Sequence, residues 1–228
     1  MSERAAVVIG GAGAIGSAIV RQLRESGVCT LSLDVGGGDA LSCDVRDPES
    51  VAHALKDAER LAGRLDYVVY AAGVSHEAVV WKLTVDEWDQ THEVNLRGAF
   101  LVLREAIPIL RRAEGGRIVL IGSINGSRGK RGTAAYSASK AGLVGLAKSV
   151  AREVGRFGIT VNVVEPGWVR TPMTESLPAG VQDAALAETL LGTFVEPEDV
   201  AATVGFLCSP AARRITGQIV RVDAGQLV

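Results

Sequence analysis

The chain has 228 residues, 47% of them apolar but only 4% aromatic, with 27 glycines and a formal net charge of −2. That length suits one domain over residues 1–228 with a substantial core, and the near-neutral charge excludes the electrostatic footprint of a nucleic-acid binder. A core of Ala, Val, Leu and Ile with this much glycine argues against a helical bundle and for a parallel sheet covered by helices.

The opening segment is apolar enough to suggest a signal peptide, but charges at Glu3 and Arg4 come early and glycines interrupt the run. It reads instead as a first strand, Ala5–Ile9, and a turn, followed by an amphipathic helix over Ala14–Ser26. Strands follow at Val28–Asp34 and, briefly, Ala40–Cys43, then a helix at Pro48–Ala62 and a strand at Asp66–Tyr70. Thr84–Arg112 holds one long helix or two. Gly116–Gly122 is a strand, Ala134–Arg156 a long helix, Ile159–Val164 a strand, Pro197–Cys208 a helix and Gln218–Val222 a last strand. This alternation predicts an α/β fold, a doubly wound parallel sheet of about seven strands with helices on both faces. The link between the second and third strands, with Gly36-Gly37-Gly38, is too short for the usual helical crossover, so a bare loop is expected there. No apolar run reaches the length of a membrane span. Cys29, Cys43 and Cys208 are odd in number and widely spaced, and read as buried thiols in a reducing, cytoplasmic setting.

The first strand runs into Gly10-Gly11-Ala12-Gly13-Ala14-Ile15-Gly16. Glycines at the start of a helix let a pyrophosphate approach backbone amides, where the helix dipole favours negative charge. Both Gly11-x-Gly13-x-x-Gly16 and Gly10-x-x-Gly13-x-x-Gly16 fit such a turn. Asp34 ends the second strand 18 residues after Gly16, where an acidic side chain accepts from ribose hydroxyls. Its carboxylate repels a 2′-phosphate, and no Arg or Lys follows in Val35–Gly38, so NAD is expected over NADP.

Tyr136 and Lys140 stand four residues apart on a predicted helix and share one face. An ammonium beside the phenol is expected to lower the tyrosine pKa and make Tyr136 a general acid/base at a carbonyl or carbinol oxygen. Ser123 lies at the end of the fifth strand, where open α/β sheets bind ligands, and can hydrogen-bond the same oxygen.

On these motifs the sequence resembles, over its whole length, the compact single-domain branch of the short-chain dehydrogenase/reductase family, with its Rossmann fold. Ser123 in Ile121-Gly122-Ser123 precedes Tyr136 by 13 residues, the family's usual gap. The resemblance implies that Asn95, in Val94-Asn95-Leu96, holds a water behind the lysine, and that Lys140 also binds the nicotinamide ribose. It implies adenine contacts from Asp44 and Val45, and a nicotinamide-locking segment at Pro166, Gly167, Trp168, Val169 and Thr171. The family's Asn-Asn-Ala-Gly corresponds here to Tyr70-Ala71-Ala72-Gly73, which keeps Ala72 and Gly73 for the cofactor but loses an amide that helps tie the central strands. Ile9 stands at the family's threonine, and Ala14 replaces the compact branch's middle glycine.

The implied activity is NAD-linked interconversion of a secondary alcohol and a ketone, with a lid at about 171–195 over the substrate. The pattern, including Gly126-Ser127-Arg128-Gly129 and Thr216-Gly217-Gln218, also resembles 3-oxoacyl thioester reductases acting on acyl carrier protein or coenzyme A, which usually prefer NADPH. A nucleotide-sugar epimerase or dehydratase and a non-catalytic dinucleotide sensor are the remaining readings. The family is commonly tetrameric through its two long helices and last strand, so a homotetramer or dimer is expected, with Gly225-Gln226-Leu227-Val228 available to the interface. Arg128, Lys130 and Arg131 read as a solvated basic loop, with a role toward acyl carrier protein or coenzyme A as the alternative. His53, His76 and His92 lack ligand spacing and imply no metal; His76 reads as a solvated loop residue that is also placed to touch substrate. Trp81 and Trp88 are expected to pack, Trp168 to anchor a loop or line the pocket, and Arg104, Arg111 and Arg112 to form an exposed helix face.

Overall fold

The computed structural model describes residues 4–36, 39–113 and 115–228; Met1–Glu3, Gly37, Gly38 and Glu114 lie outside that description. The seven strands are β1 (Ala5–Ile9), β2 (Cys29–Asp34), β3 (Leu41–Ser42), β4 (Tyr67–Tyr70), β5 (Gly116–Ile121), β6 (Ile159–Pro166) and β7 (Ile219–Val222). All pair in parallel, in the order β3-β2-β1-β4-β5-β6-β7. The direction of winding reverses between β1 and β4, and ligands of open α/β sheets bind in the crevice at the carboxyl ends on either side of such a switch.

Alternate residues of each strand serve two separate cores, as the period of two requires. Val7, Ile9, Val68, Tyr70, Ile118 and Leu120 face one side, packed by α2 (Pro48–Ala62), α4 (Gly98–Arg112) and α6 (Ala134–Val154). Ala6, Val8, Val69, Val119 and Ile121 face the other, under α1 (Ala14–Glu25) and α9 (Pro197–Cys208). Burial of each large aliphatic side chain contributes about 1.5–3 kcal/mol, so the central strands carry much of the stability.

Local chemistry sets the helix limits. The Asp47 carboxylate accepts from the amides of Glu49 and Ser50, Pro48 fills the first helical position, and Gly63 at φ +74° stops α2. Thr84 and Glu87 form a reciprocal capping box that starts α3 (Val85–His92). The segment expected as one helix or two is α3 and α4 joined through a π-turn at Glu93–Arg97. Three short helices have no counterpart in the sequence reading: α5 (Ile124–Arg128), α7 (Pro172–Glu175) and α8 (Ala179–Ala187). Between β2 and β3 the described residues Val35, Gly36, Asp39 and Ala40 are bends, not helix, as expected for a bare crossover; the other two glycines of that run are the undescribed Gly37 and Gly38.

Candidate active site

The carboxyl ends of five strands bring most of the sequence-predicted residues to one edge: Gly10 after β1, Asp34 ending β2, Ala72 and Gly73 after β4, Ser123 after β5 and Pro166 ending β6. Within the glycine turn, three glycines are required by the fold. Gly10 has φ +79° and lies against Ala72, where an added Cβ would come within 2.4 Å of its amide nitrogen. Gly11 abuts Ser32, and a Cβ on Gly16 would sit 2.0 Å from the Gly10 carbonyl. Gly13 differs: it caps α1 with an extended backbone, is exposed, and a Cβ there would meet only the Gly10 carbonyl at an ordinary 3.5 Å. The protein alone does not need a glycine at 13, which is the signature of close approach from outside. The helical ladder begins with Ser17 donating to Gly13, so the amides of Ala14, Ile15 and Gly16 precede it and have no intrahelical acceptor. Asp34 is fixed beside this turn by the amides of Ala12 (3.0 Å) and Gly36 (3.2 Å), leaving each oxygen further accepting capacity. These residues therefore fit a dinucleotide: free amides for a pyrophosphate, room for it at Gly13, and an oriented acceptor for a ribose.

Tyr136 and Lys140 project from one face of α6. Lys140 is buried, and its Nζ donates to the Ile121 carbonyl at 2.9 Å and lies 5.6 Å from the Tyr136 ring centroid. Burial pulls its pKa down to about 8. Tyr136 is hydrogen-bonded to Ser123, which caps α5 by accepting from the Asn125 amide. Here the structure corrects the sequence reading. The Tyr136 pKa is raised: burial lifts it, the Ser123 hydrogen bond offsets part of that rise, and the Lys140 ammonium is spent on the Ile121 carbonyl. The phenol thus holds its proton at neutral pH, the state of a general acid.

Asn95 sits in the π-turn with no exposed surface. Its Nδ2 donates to the Val74 carbonyl and to Ser139 Oγ, both at 2.9 Å, and its Oδ1 accepts from the Val74 amide at 2.8 Å. Both amide hydrogens are therefore committed to holding the loop after β4 against α6. A Cβ on Gly73 would lie 3.3 Å from Lys140 Nζ and 3.4 Å from Asn95 Oδ1, so this glycine lies directly over both.

Just after β3, the Asp44 carboxylate is gripped by Arg46 at 2.8 and 3.0 Å, which lowers its pKa. The Val45 side chain is buried against Gly98, so it presents only backbone to the surface. On the other side, the Gly167 amide donates to Val222, and a Cβ there would strike Gln226 Oε1 at 2.5 Å. Gln226 also accepts from the Trp168 amide at 2.6 Å, so the chain's end folds back beneath the Pro166–Val169 segment. Val169 bridges Val195, and Thr171 caps α7 with Thr174. This clasp was missed from sequence because it joins residues 58 apart.

Several lesser expectations change. The basic cluster is no simple solvated loop: Arg128, 21% exposed, binds Asn125 and pairs with Glu188 beyond α8 at 2.8 Å, and Lys130 lies over Trp168 at 5.1 Å. Trp168 stacks on Phe194 and so anchors the loop. Trp81 does not pack; it is 78% exposed, while Trp88 stacks on His92. His76 is half-buried and paired with Thr91, and Cys29 is half-buried where Cys43 and Cys208 are buried. Arg104, Arg111 and Arg112 are exposed, as expected, with Arg111 over Phe157 and Arg112 paired with Glu59. No helix among the described residues is long and apolar enough to cross a membrane.

A doubly wound sheet with such a glycine turn and a Ser/Tyr/Lys set at one edge defines a dinucleotide-dependent α/β protein. Residues 10–226 match the family model described as enoyl-(acyl carrier protein) reductase. The 3-oxoacyl-[acyl-carrier-protein] reductase FabG of Thermotoga maritima is 31% identical over all of this chain and 99% of its own length. FabG of Vibrio cholerae is 34% identical, covering 99% and 98%, and MabA of Mycobacterium tuberculosis 36%, covering 98% and 92%. The crystal structure of gox2181 superposes with a TM-score of 0.95 at 33% identity, over 99% of this chain and 96% of that one. The chain belongs to the short-chain dehydrogenase/reductase family and is an NAD(P)-dependent oxidoreductase.

Proposed function

We propose that the chain interconverts a ketone and a secondary alcohol, with NAD preferred, and that Tyr136, Ser123, Lys140 and Asn95 form its catalytic set. The observation that carries this reading is half-buried Tyr136 hydrogen-bonded to buried Ser123 and backed by buried Lys140, at the edge where Asp34 and the glycine turn also meet. A bound nicotinamide would supply or accept the hydride. The amides of Ala14, Ile15 and Gly16 would hold the pyrophosphate, for which the turn at Gly10 and Gly13 leaves room, and Asp34 would accept from the adenosine ribose and disfavour a 2′-phosphate. Asp44, Val45, Ala72 and Gly73 flank the adenosine half, and Pro166, Gly167, Val169 and Thr171 flank the nicotinamide. Ser123 donates to the substrate oxygen and polarises it. In the reductive direction Tyr136 transfers its phenolic proton to that oxygen; in the oxidative direction it takes the proton back. Lys140 would hold the nicotinamide ribose hydroxyls and steady the phenolate left behind. Asn95 keeps the loop over Lys140 in place and, through the remaining lone pair of Oδ1, receives water.

Segment 171–195, with α7 and α8, is the lid over the substrate, latched by Arg128–Glu188. The relatives' names favour one substrate class within this reading, a 3-oxoacyl thioester, whose reacting group is itself a ketone. Asp34 favours instead an NAD-linked enzyme of a small or cyclic hydroxy compound. Rates with NADH and NADPH against a 3-oxoacyl thioester and a cyclic ketone separate the two. A groove of about 420 Å³ lined by Leu96, Phe100 and Leu146 on the long helices supports self-association, and three unbridged cysteines support a reducing cytoplasm. The central test is Tyr136→Phe: turnover falls at least about a hundredfold with cofactor affinity kept. Near-normal turnover in that variant overturns the assignment.

A further inference from the structure

Tyr70 closes β4 with no exposed surface, at the position where the family's sequence pattern has an asparagine. A buried hydroxyl costs stability unless it finds a partner, and a phenylalanine would fill the same space without that cost. Tyr70 has found a specific partner: its hydroxyl donates to the Val94 carbonyl. That carbonyl is left over by the π-turn. In an unbroken α-helix it would accept from the Gly98 amide four residues on, but that amide reaches back to Glu93. The extra residue in the turn thus takes the α-helical donor from the carbonyl of half-buried Val94, and backbone acceptors shielded from water need a donor. Space for the hydroxyl is provided by Gly98, where a Cβ would lie 2.5 Å from the Tyr70 oxygen. A phenol, a missing side chain and an unpaired carbonyl therefore interlock at one point. The next residue along the turn is Asn95, whose amide ties Val74 to Ser139 beside Lys140.

We propose that Tyr70 is a positioning residue: its hydroxyl stabilises the π-turn in the register that aims Asn95 at Val74 and Ser139, and through Asn95 it sets the loop over Lys140. The proposal rests on the oxidoreductase reading for its kinetic consequence, and on geometry alone for its structural one. Tyr70→Phe removes a single oxygen from the core. Its expected signature is amide hydrogen exchange about fivefold to tenfold faster at Val74, which donates to Asn95 Oδ1, with Val68 and Val69 in β4 unchanged; one lost hydrogen bond has this size. The kcat for carbonyl reduction falls by a similar factor while KM for the dinucleotide holds. Gly98→Ala, which pushes the hydroxyl away from Val94, reproduces both effects should Tyr70→Phe fold poorly. Tyr67→Phe, on the opposite face of β4, serves as the control and leaves both readouts as in the parent protein. Unchanged exchange at Val74 in Tyr70→Phe overturns the proposal, as does faster exchange with unaltered kcat. Absence of turnover in the parent protein with every carbonyl and either nicotinamide would instead overturn the oxidoreductase reading, leaving exchange at Val74 to decide whether Tyr70 holds Asn95.

Discussion

Replacing Gly13 by alanine separates what the glycine turn does for the fold from what it does for a ligand. The backbone at Gly13, φ −69° and ψ 166°, is open to any residue, and the new methyl would meet the Gly10 carbonyl at 3.5 Å. The remaining cost is that of alanine at an N-cap, about 0.5–1 kcal/mol, which for a domain of this size lowers the melting temperature by about 1–4 °C. The methyl also occupies the surface that a pyrophosphate must approach to reach the amides of Ala14 and Ile15. Dinucleotide affinity is expected to fall at least about tenfold, or about 1.4 kcal/mol. Gly16→Ala has the opposite balance, since its Cβ would stand 2.0 Å from the Gly10 carbonyl and the turn itself must give way. Thermal melting together with titration of NADH fluorescence reads both quantities for both variants. A Gly13→Ala protein that binds NADH as tightly as the parent refutes the assignment of this turn to the pyrophosphate.

Further expectations concern the lysine, the lid and the helix face. Lys140 is lowered to about 8 from 10.5, so between those values the unfolded chain binds the extra proton; stability therefore rises with pH across that window and is flat below it. Lys140→Met removes the rise, and its stability relative to the parent protein drops by about 3 kcal/mol between pH 7.5 and 10.5, measured by urea unfolding; a pH-independent difference refutes the inferred shift. Breaking the Arg128–Glu188 pair with Arg128→Ala loosens the lid and raises KM for the carbonyl about twofold to fivefold, a partly exposed pair being worth up to ~1 kcal/mol. Glu188→Gln and high salt act in the same direction, and KM for the dinucleotide is unaffected. Phe100→Glu, on a half-exposed aromatic in the α3–α4–α6 groove, lowers the mass measured by light scattering; an unchanged oligomer places the interface elsewhere.

The parts that were legible in the sequence are those with a local cause. The central strands β1, β4, β5 and β6 are buried on both faces and stand out as apolar runs, and α2 and α9 match their expected limits because Pro48 and Pro197 start them and Asp47 or Glu196 caps them. The glycine turn, Asp34 and the Tyr136/Lys140 spacing are equally local. What escaped is cooperative or short. A π-turn is one inserted residue, with no composition of its own, and it shifts the apolar stripe out of phase, which left Thr84–Arg112 open as one helix or two. The five residues of α5 are too few to show a period. Tyr70 read as a loss because its partner carbonyl lies 24 residues away, and the Tyr136 pKa was misjudged because burial, invisible in sequence, outweighs the Ser123 hydrogen bond while the Lys140 ammonium is turned to the Ile121 carbonyl.

The bare crossover between β2 and β3 makes the sheet's two margins unlike. One ends in a strand of two residues, Leu41 and Ser42, too short to template the addition of another chain. The other ends in β7, with four residues paired only to β6. Any growth of the sheet by strand addition is therefore polarised to the β7 side. The β3 margin is protected from cross-chain pairing by brevity, without the charged or proline-bearing edge strand that other sheets rely on.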